Sequence, residues 1–145
     1  MKSDFSEPAD SLSTSIPCEP DALDSVTVVV CSSCRRPGDG DDVPRPGSRL
    51  ARDAAQAGAE AGVRVRQVAC LGNCKRGLSA AILREGCWSY VFGELQPGSG
   101  EDLIAGAALF ARSEDGFMPF RGRPEALKRG LIARIPTYDS LKEIP

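Results

Sequence analysis

The chain has 145 residues, with 18 Lys and Arg, 20 Asp and Glu, six Cys and no His, and its formal net charge is −2. At roughly 100–200 residues per domain, this length predicts one domain with tails, which can bury a hydrophobic core without cross-links. The absence of His excludes Ser-His-Asp and Cys-His nucleophiles, His-ligated zinc hydrolases and imidazole proton shuttles.

Residues 1–24 contain six acidic residues and one Lys, hence a net charge of −5, and no apolar periodicity, which predicts a disordered acidic tail. They have neither the apolar segment of a signal peptide nor the Arg-rich pattern of a transit peptide, and we expect no membrane span. The expected location is therefore the cytoplasm, where clustered Cys are metal ligands or catalytic thiols rather than disulfides. Residues 25–145, with 14 acidic and 17 basic residues, carry a net +3, too little to suggest nucleic-acid binding.

A strand–helix–strand unit is predicted after the tail. Residues 25–30 are a short β-branched run, typical of a strand buried on both faces. A loop rich in Pro, Gly and Asp follows, and residues 46–61 predict a helix. The apolar face of that helix is predicted to hold Leu50, Ala54, Ala57 and Ala61. Residues 63–69 largely alternate apolar and polar side chains, as in a strand with one buried face, so the two strands should be parallel.

Two further strands, at residues 79–83 and 88–92, should form a hairpin with its turn at residues 84–86. A helix over residues 99–111 follows, with an apolar stripe and a variant capping box. The order β-α-β-β-β-α is that of a small thioredoxin-like α/β fold with a mixed sheet, and it spans residues 25–116. Residues 117–145 are predicted to be a basic C-terminal extension with a short helix near residues 124–129.

Two close pairs of cysteines carry the chemistry. The predicted ligands are Cys31, Cys34, Cys70 and Cys74. Each pair begins where a predicted parallel strand ends, and the carboxyl ends of adjacent parallel strands lie at the same edge of a sheet. The pairs should therefore converge, and four thiolates at one point predict a soft metal centre, either zinc or an iron–sulfur cluster.

Four basic residues directly follow the two pairs, namely Arg35, Arg36, Lys75 and Arg76. A 2Fe–2S cluster with four thiolates is anionic, so these cations are expected to raise its reduction potential or to dock a partner. Gly72 and Gly77 should let backbone N–H groups approach the sulfurs closely.

The segment CLGNC at residues 70–74 resembles the CLGxC motif of thioredoxin-like 2Fe–2S ferredoxins. The chain is more closely similar to a bacterial family described as predicted metal-binding proteins, through CSSCR at residues 31–35, YVFGEL at residues 90–95 and ARIP at residues 133–136. The resemblance covers about residues 26–136. It implies a 2Fe–2S cluster, electron transfer with a protein partner rather than an enzyme activity, and a link to cobalamin or cobalt metabolism.

Two other readings remain open from the residues alone. A four-cysteine module could hold structural zinc or carry cobalt or another soft metal. A thiol–disulfide oxidoreductase could also use a CxxC segment after a strand. We expect a redox partner protein, no nucleic acid or membrane partner, and a homodimer as one candidate assembly. Cys18 is predicted to be uninvolved and Cys87 to be a small core residue.

Overall fold

The structure, a computed structural model, describes residues 25–34 and 45–142. Its strands are β1 (Val26–Cys31), β2 (Arg64–Val68), β3 (Ala80–Arg84), β4 (Ser89–Phe92) and β5 (Leu131–Ile135). Its helices are α1 (Pro46–Ala61), α2 (Gly100–Ala111), α3 (Glu125–Arg129) and α4 (Tyr138–Leu141), and one 3₁₀ turn covers Cys74–Arg76. None of the helices in this part of the chain is long and apolar enough to cross a membrane.

The five strands form one mixed sheet in the order β2-β1-β3-β4-β5. β1 and β2 are parallel, and α1 connects them, which confirms the predicted strand–helix–strand unit. β3 pairs antiparallel with both β1 and β4, so the predicted hairpin is also confirmed. β1 is thereby enclosed between β2 and β3, with its carboxyl end inside the sheet.

Helices α1 and α2 pack against each other and against β1. The alternate residues Val26, Val28 and Val30 of β1 are fully buried, whereas Thr27 and Val29 between them are only half-buried. The prediction that β1 is buried on both faces is therefore wrong, because the packed core covers only one face of the strand. β2 is an edge strand, and its residues range from half-buried to exposed.

The buried face of α1 differs from the predicted one by part of a turn. It consists of Pro46, Gly47, Leu50, Ala51, Ala54 and Gly58. Ala57 is half-buried and Ala61 is exposed. Small residues on this face allow a close approach, since a Cβ at Gly58 would lie 2.7 Å from the Val63 carbonyl oxygen.

Arg84 is the last residue of β3 rather than part of the hairpin turn, and its side chain is buried. Its guanidinium donates hydrogen bonds to the carbonyls of Phe110 (2.6 Å) and Ser113 (3.1 Å) at the carboxyl end of α2. These two carbonyls accept hydrogen bonds from the buried guanidinium, an interaction that the sequence pattern did not indicate.

The sheet also contains a strand that was not predicted. The short helix near residues 124–129 is confirmed as α3, but the following residues form β5, which pairs antiparallel with β4. Basic side chains of this region lie over aromatic rings, with the Arg134 guanidinium 5.1 Å from the Trp88 ring centroid and that of Arg123 5.7 Å from the Tyr90 ring centroid.

Candidate metal centre

The first pair of cysteines, Cys31 and Cys34, is here called the inner pair. It lies at the carboxyl end of β1 and is buried, with 2 % and 6 % of the two residues exposed. The backbone N–H of Cys31 donates to the Ser79 carbonyl at 3.1 Å, and that of Ser32 donates to the Val68 carbonyl at 2.8 Å. The loop that carries the inner pair is therefore hydrogen-bonded to the segments on both sides of β1.

The amino end of α1 supports the same loop. The backbone N–H of Gly47 donates to the Cys34 carbonyl at 2.9 Å. A Cβ at Gly47 would lie 2.8 Å from the Cys34 nitrogen and would overlap the Cys31 carbonyl oxygen. Only glycine lets the helix approach the loop this closely.

The second pair, Cys70 and Cys74, is here called the outer pair, because both residues are exposed in the loop that follows β2. Their sulfurs lie 3.9 Å apart. Gly72 has a φ of +81°, and its N–H lies 3.2 Å from the Cys70 sulfur, which confirms the predicted approach of a backbone N–H to a sulfur. Gly77, predicted with it, has extended backbone.

The two pairs line one cavity of about 320 Å³. The described residues around it are Cys31, Ser33, Cys34, Arg45, Cys70 and Cys74. Cys31 lies opposite Val68 in the parallel pairing of β1 and β2, so both strands end at the same level. The structure thus brings the four predicted cysteines to one place, while their role as metal ligands stays a prediction.

The thiols face this cavity as two pairs rather than as one compact group. Within residues 25–34 and 45–142, no three Cys, Asp or Glu side chains lie close enough together to hold one ion. Four thiolates on a single zinc ion, each at about 2.3 Å, require all sulfurs to lie about 3.8 Å from one another. The outer pair meets that spacing internally, at 3.9 Å. A centre that takes two thiolates on each of two metals requires this spacing within each pair and not between the pairs.

Burial and neighbouring sulfur atoms both oppose ionisation of these thiols. Burial is the main cause that raises the pKa of Cys34, and its hydrogen bond and charge interaction with Cys31 add to the effect. The pKa of Cys74 is raised chiefly by its hydrogen bond with Cys70, then by the charge of Cys70. Since two adjacent thiolates repel each other, a bound cation is needed to hold all four sulfurs ionised.

The predicted cations lie at the rim of the site or outside the described residues. Lys75 and Arg76 are exposed in the 3₁₀ turn, and neither lines the cavity. Arg76 donates to the Glu94 carboxylate at 3.2 Å, so its charge is partly compensated. Arg35 and Arg36 fall within residues 35–44, outside the residues that the structure describes.

Two further sources of positive potential were not predicted. Arg45 lines the cavity, and its guanidinium donates to the Ser33 carbonyl at 2.9 Å. The amino end of α1 lies beside Cys34 through the Gly47 N–H, and that end of a helix carries a partial positive charge. Both would offset negative charge in the cavity.

The remaining two cysteines belong to neither pair. Cys87 is buried, with 4 % exposed, as predicted, but its sulfur is engaged in a disulfide, which was not predicted. It does not line the cavity. Cys18 lies outside the described residues.

Residues 28–137 match a family model described as "Protein of unknown function (DUF1636)". The chain belongs to this family. The family's description names no metal, so the metal-binding character that the resemblance implies stays a prediction. No curated protein matches the chain significantly.

Among solved structures, the chain is similar to a thioredoxin-like [2Fe-2S] ferredoxin from Aquifex aeolicus. The identity is 18 % and the TM-score 0.44, over 76 % of this chain and 98 % of that chain. A second structure of a thioredoxin-like [2Fe-2S] ferredoxin from that organism gives 18 % identity and a TM-score of 0.45, over 77 % and 93 % of the two chains. The observed order of helices and strands confirms the predicted α/β class with a mixed sheet.

Sequence reasoning also missed two polar residues next to the sulfurs. Ser79 is fully buried, and its hydroxyl lies 3.9 Å from the Cys34 sulfur. Asn73, between the two outer cysteines, donates its side-chain N–H to the Ser79 hydroxyl at 3.0 Å. The position of Asn73 inside the CLGNC segment was the one signal in the sequence, whereas nothing near Ser79 marked it.

Proposed function

We propose that this protein is an electron carrier that holds a 2Fe–2S cluster on Cys31, Cys34, Cys70 and Cys74, rather than an enzyme. Such a cluster supplies a one-electron couple. The donor set supports the proposal, because with no His in the chain a soft metal centre must be held mainly by sulfur.

The observation that carries the proposal is that two pairs of thiols, from the ends of two neighbouring parallel strands, line one cavity. A binuclear cluster needs two thiolates at each of two metals, which is the grouping of the inner and outer pairs. A structural zinc site or a carrier site for cobalt would need both pairs to close onto one point.

The environment of the inner pair also argues against a thiol–disulfide oxidoreductase. Such enzymes attack with an accessible thiol of lowered pKa. Here both cysteines of the CxxC segment are buried, and burial raises the pKa of Cys34. These thiols are better suited to hold a metal than to react with a substrate disulfide.

The two pairs would have different tasks in electron transfer. The inner pair would shield one side of the cluster from water, while the exposed outer pair would face the partner. Lys75 and Arg76, exposed in the turn that begins at Cys74, would add positive charge beside that face, so we propose an acidic redox protein as the partner. A role in cobalamin or cobalt metabolism is part of the same proposal and rests on the family resemblance alone.

Anaerobic purification followed by iron, acid-labile sulfide and zinc analysis tests the proposal. We expect a red-brown protein with two irons and two sulfides per chain and a rhombic EPR signal after reduction. Cys70→Ala and Cys34→Ala leave no donor atom at the ligand position and should each abolish the chromophore. Ser32→Ala is the matched control, since the Ser32 hydroxyl donates to the Val68 carbonyl and not to a sulfur, and it should retain the chromophore.

A colourless protein with one zinc and no sulfide would overturn the cluster and favour the four-cysteine zinc module. Retention of the chromophore in Cys70→Ala or Cys34→Ala would show that the ligand set is wrong.

A further inference from the structure

Ser79 is the buried hydroxyl group nearest to a sulfur of the inner pair. It lies just before β3, is fully buried, and its carbonyl accepts the backbone N–H of Cys31. This backbone bond fixes Ser79 level with the end of β1. The protonated Cys34 thiol donates a hydrogen bond to the Ser79 hydroxyl oxygen, at a sulfur-to-oxygen distance of 3.9 Å.

Asn73 determines what the Ser79 hydroxyl can do. The Asn73 amide nitrogen donates to the Arg76 carbonyl at 3.3 Å and to the Ser79 hydroxyl at 3.0 Å. A backbone carbonyl can only accept, so it fixes which end of the Asn73 amide faces inward. The Ser79 oxygen must then accept from Asn73 and keeps its own hydrogen to donate.

Once Cys34 has lost its proton, its sulfur has only lone pairs to offer, and the Ser79 hydrogen can turn to it. The interaction therefore favours a negatively charged sulfur.

We infer that Ser79 is a positioning residue that donates a hydrogen bond to the Cys34 thiolate, with its hydroxyl oriented by Asn73, and that this bond raises the reduction potential of the bound centre. The inference rests on the proposed function for the identity of that centre. Reduction adds one electron, from a protein donor in the cell, and a hydrogen bond to a ligand sulfur stabilises the more negative state.

Gly93 keeps room for this arrangement. A Cβ at that position would lie 2.6 Å from the Asn73 side-chain nitrogen and 2.7 Å from the Arg76 carbonyl oxygen. The hydrogen bonds of Asn73 and Ser79 therefore connect the loop of the outer pair to the Cys34 sulfur of the inner pair.

Spectroelectrochemical titration of Ser79→Ala tests the inference. We expect a reduction equilibrium shifted roughly threefold to tenfold towards the oxidised state, which is a potential lower by about 28 to 59 mV for a one-electron couple. Asn73→Ala should shift the potential in the same direction and by less, because the hydroxyl remains but is no longer oriented.

Ser32→Ala is the matched control. Ser32 neighbours the inner pair, but its hydroxyl donates to the Val68 carbonyl at 3.1 Å and not to a sulfur. The reduction potential of the Ser32→Ala variant should equal that of the unmodified protein. A Ser79→Ala protein that holds its cluster at an unchanged potential, or an equal shift in Ser32→Ala, would overturn the inference.

Failure of the proposed function gives a different result, since the unmodified protein would then contain no iron and no sulfide. In that case the same variants are loaded with Co²⁺. Loss of a hydrogen bond to the Cys34 thiolate should move the sulfur-to-cobalt charge-transfer band to longer wavelength in Ser79→Ala and leave it in place in Ser32→Ala. An unmoved band in Ser79→Ala would overturn the inference for that metal as well.

Discussion

The inner and outer pairs contain the same chemical group in opposite surroundings. Cys31 and Cys34 are buried at the end of a central strand, and their loop is hydrogen-bonded to the residue before β3, to β2 and to the start of α1. Cys70 and Cys74 are exposed in a loop after an edge strand, held together by the Gly72 turn and their own contact. The fold therefore preorganises one half of the site and leaves the other half accessible.

This asymmetry indicates how a centre held between the pairs would work. In the low dielectric of a buried half, the potential of the centre is sensitive to single hydrogen bonds. An exposed half gives a partner a short path to the centre. Changes near the inner pair should thus alter stability and potential, and changes near the outer pair should alter access.

The largest effect is expected from Gly47→Ala. The new methyl group would press on the backbone of Cys31 and Cys34, which cannot move without breaking the loop's hydrogen bonds. Overpacking of this kind lowers the free energy of unfolding by about 1–3 kcal/mol, and we expect a loss near the upper end of that range. We also expect the variant to lose most of its bound metal. Chemical denaturation and metal analysis measure both.

Gly98→Ala is the control for that substitution, because a Cβ there meets nothing within 4 Å and its φ is not positive. It should change the free energy of unfolding by less than about 0.5 kcal/mol. Equal destabilisation by the two variants would show that the contact of α1 with the inner loop is not what matters.

The second prediction compares how accessible the thiols of the outer and inner pairs are to a labelling reagent. In the metal-free protein, iodoacetamide should label the exposed outer pair at least about tenfold faster than the buried inner pair, because alkylation needs an accessible thiolate. Peptide mass spectrometry at short reaction times resolves the sites. Addition of denaturant should remove the difference, whereas faster labelling of Cys34 than of Cys70 under native conditions would contradict the described burial.

The smallest effect is expected from Glu94→Gln at the rim of the outer pair. The Arg76–Glu94 ion pair is exposed, with 47 % and 59 % of the side chains accessible, so its loss should cost no more than about 0.5 kcal/mol. The uncompensated Arg76 should nevertheless raise the reduction potential slightly, and less so at high salt. Glu101→Gln on α2 is the control, and a lowered potential in Glu94→Gln would show that Arg76 does not act on the centre.

The regular elements of this fold were mostly visible in the sequence. The β-branched run of β1, the Pro and Gly that bound α1, and the hairpin of β3 and β4 all produce local patterns, and each element lies within one or two residues of its predicted position. β5 was missed because residues 131–135 have no alternation of their own. Pairing with β4 and the stacking of Arg134 on Trp88 stabilise it.

The buried face of β1 and the surroundings of Arg84 show the same limit. Val28 and Val29 are the same residue type in the same β-branched run. Only the position of α1 and α2 decides which of them is fully buried. Arg84 would be expected in a turn, but the carbonyls at the end of α2 offer it a buried position. Such choices depend on partners that lie far along the chain.

By itself, the sequence determined that two cysteine pairs meet, because a strand–helix–strand unit places the carboxyl ends of two parallel strands side by side. Tertiary structure alone decided that one pair is buried and the other exposed, since β1 became a central strand and β2 an edge. It also decided that the Ser79 hydroxyl lies beside the Cys34 sulfur and accepts a hydrogen bond from Asn73. A hydrogen bond of that kind depends on angstrom-scale packing between segments that are distant in sequence, which no local pattern encodes.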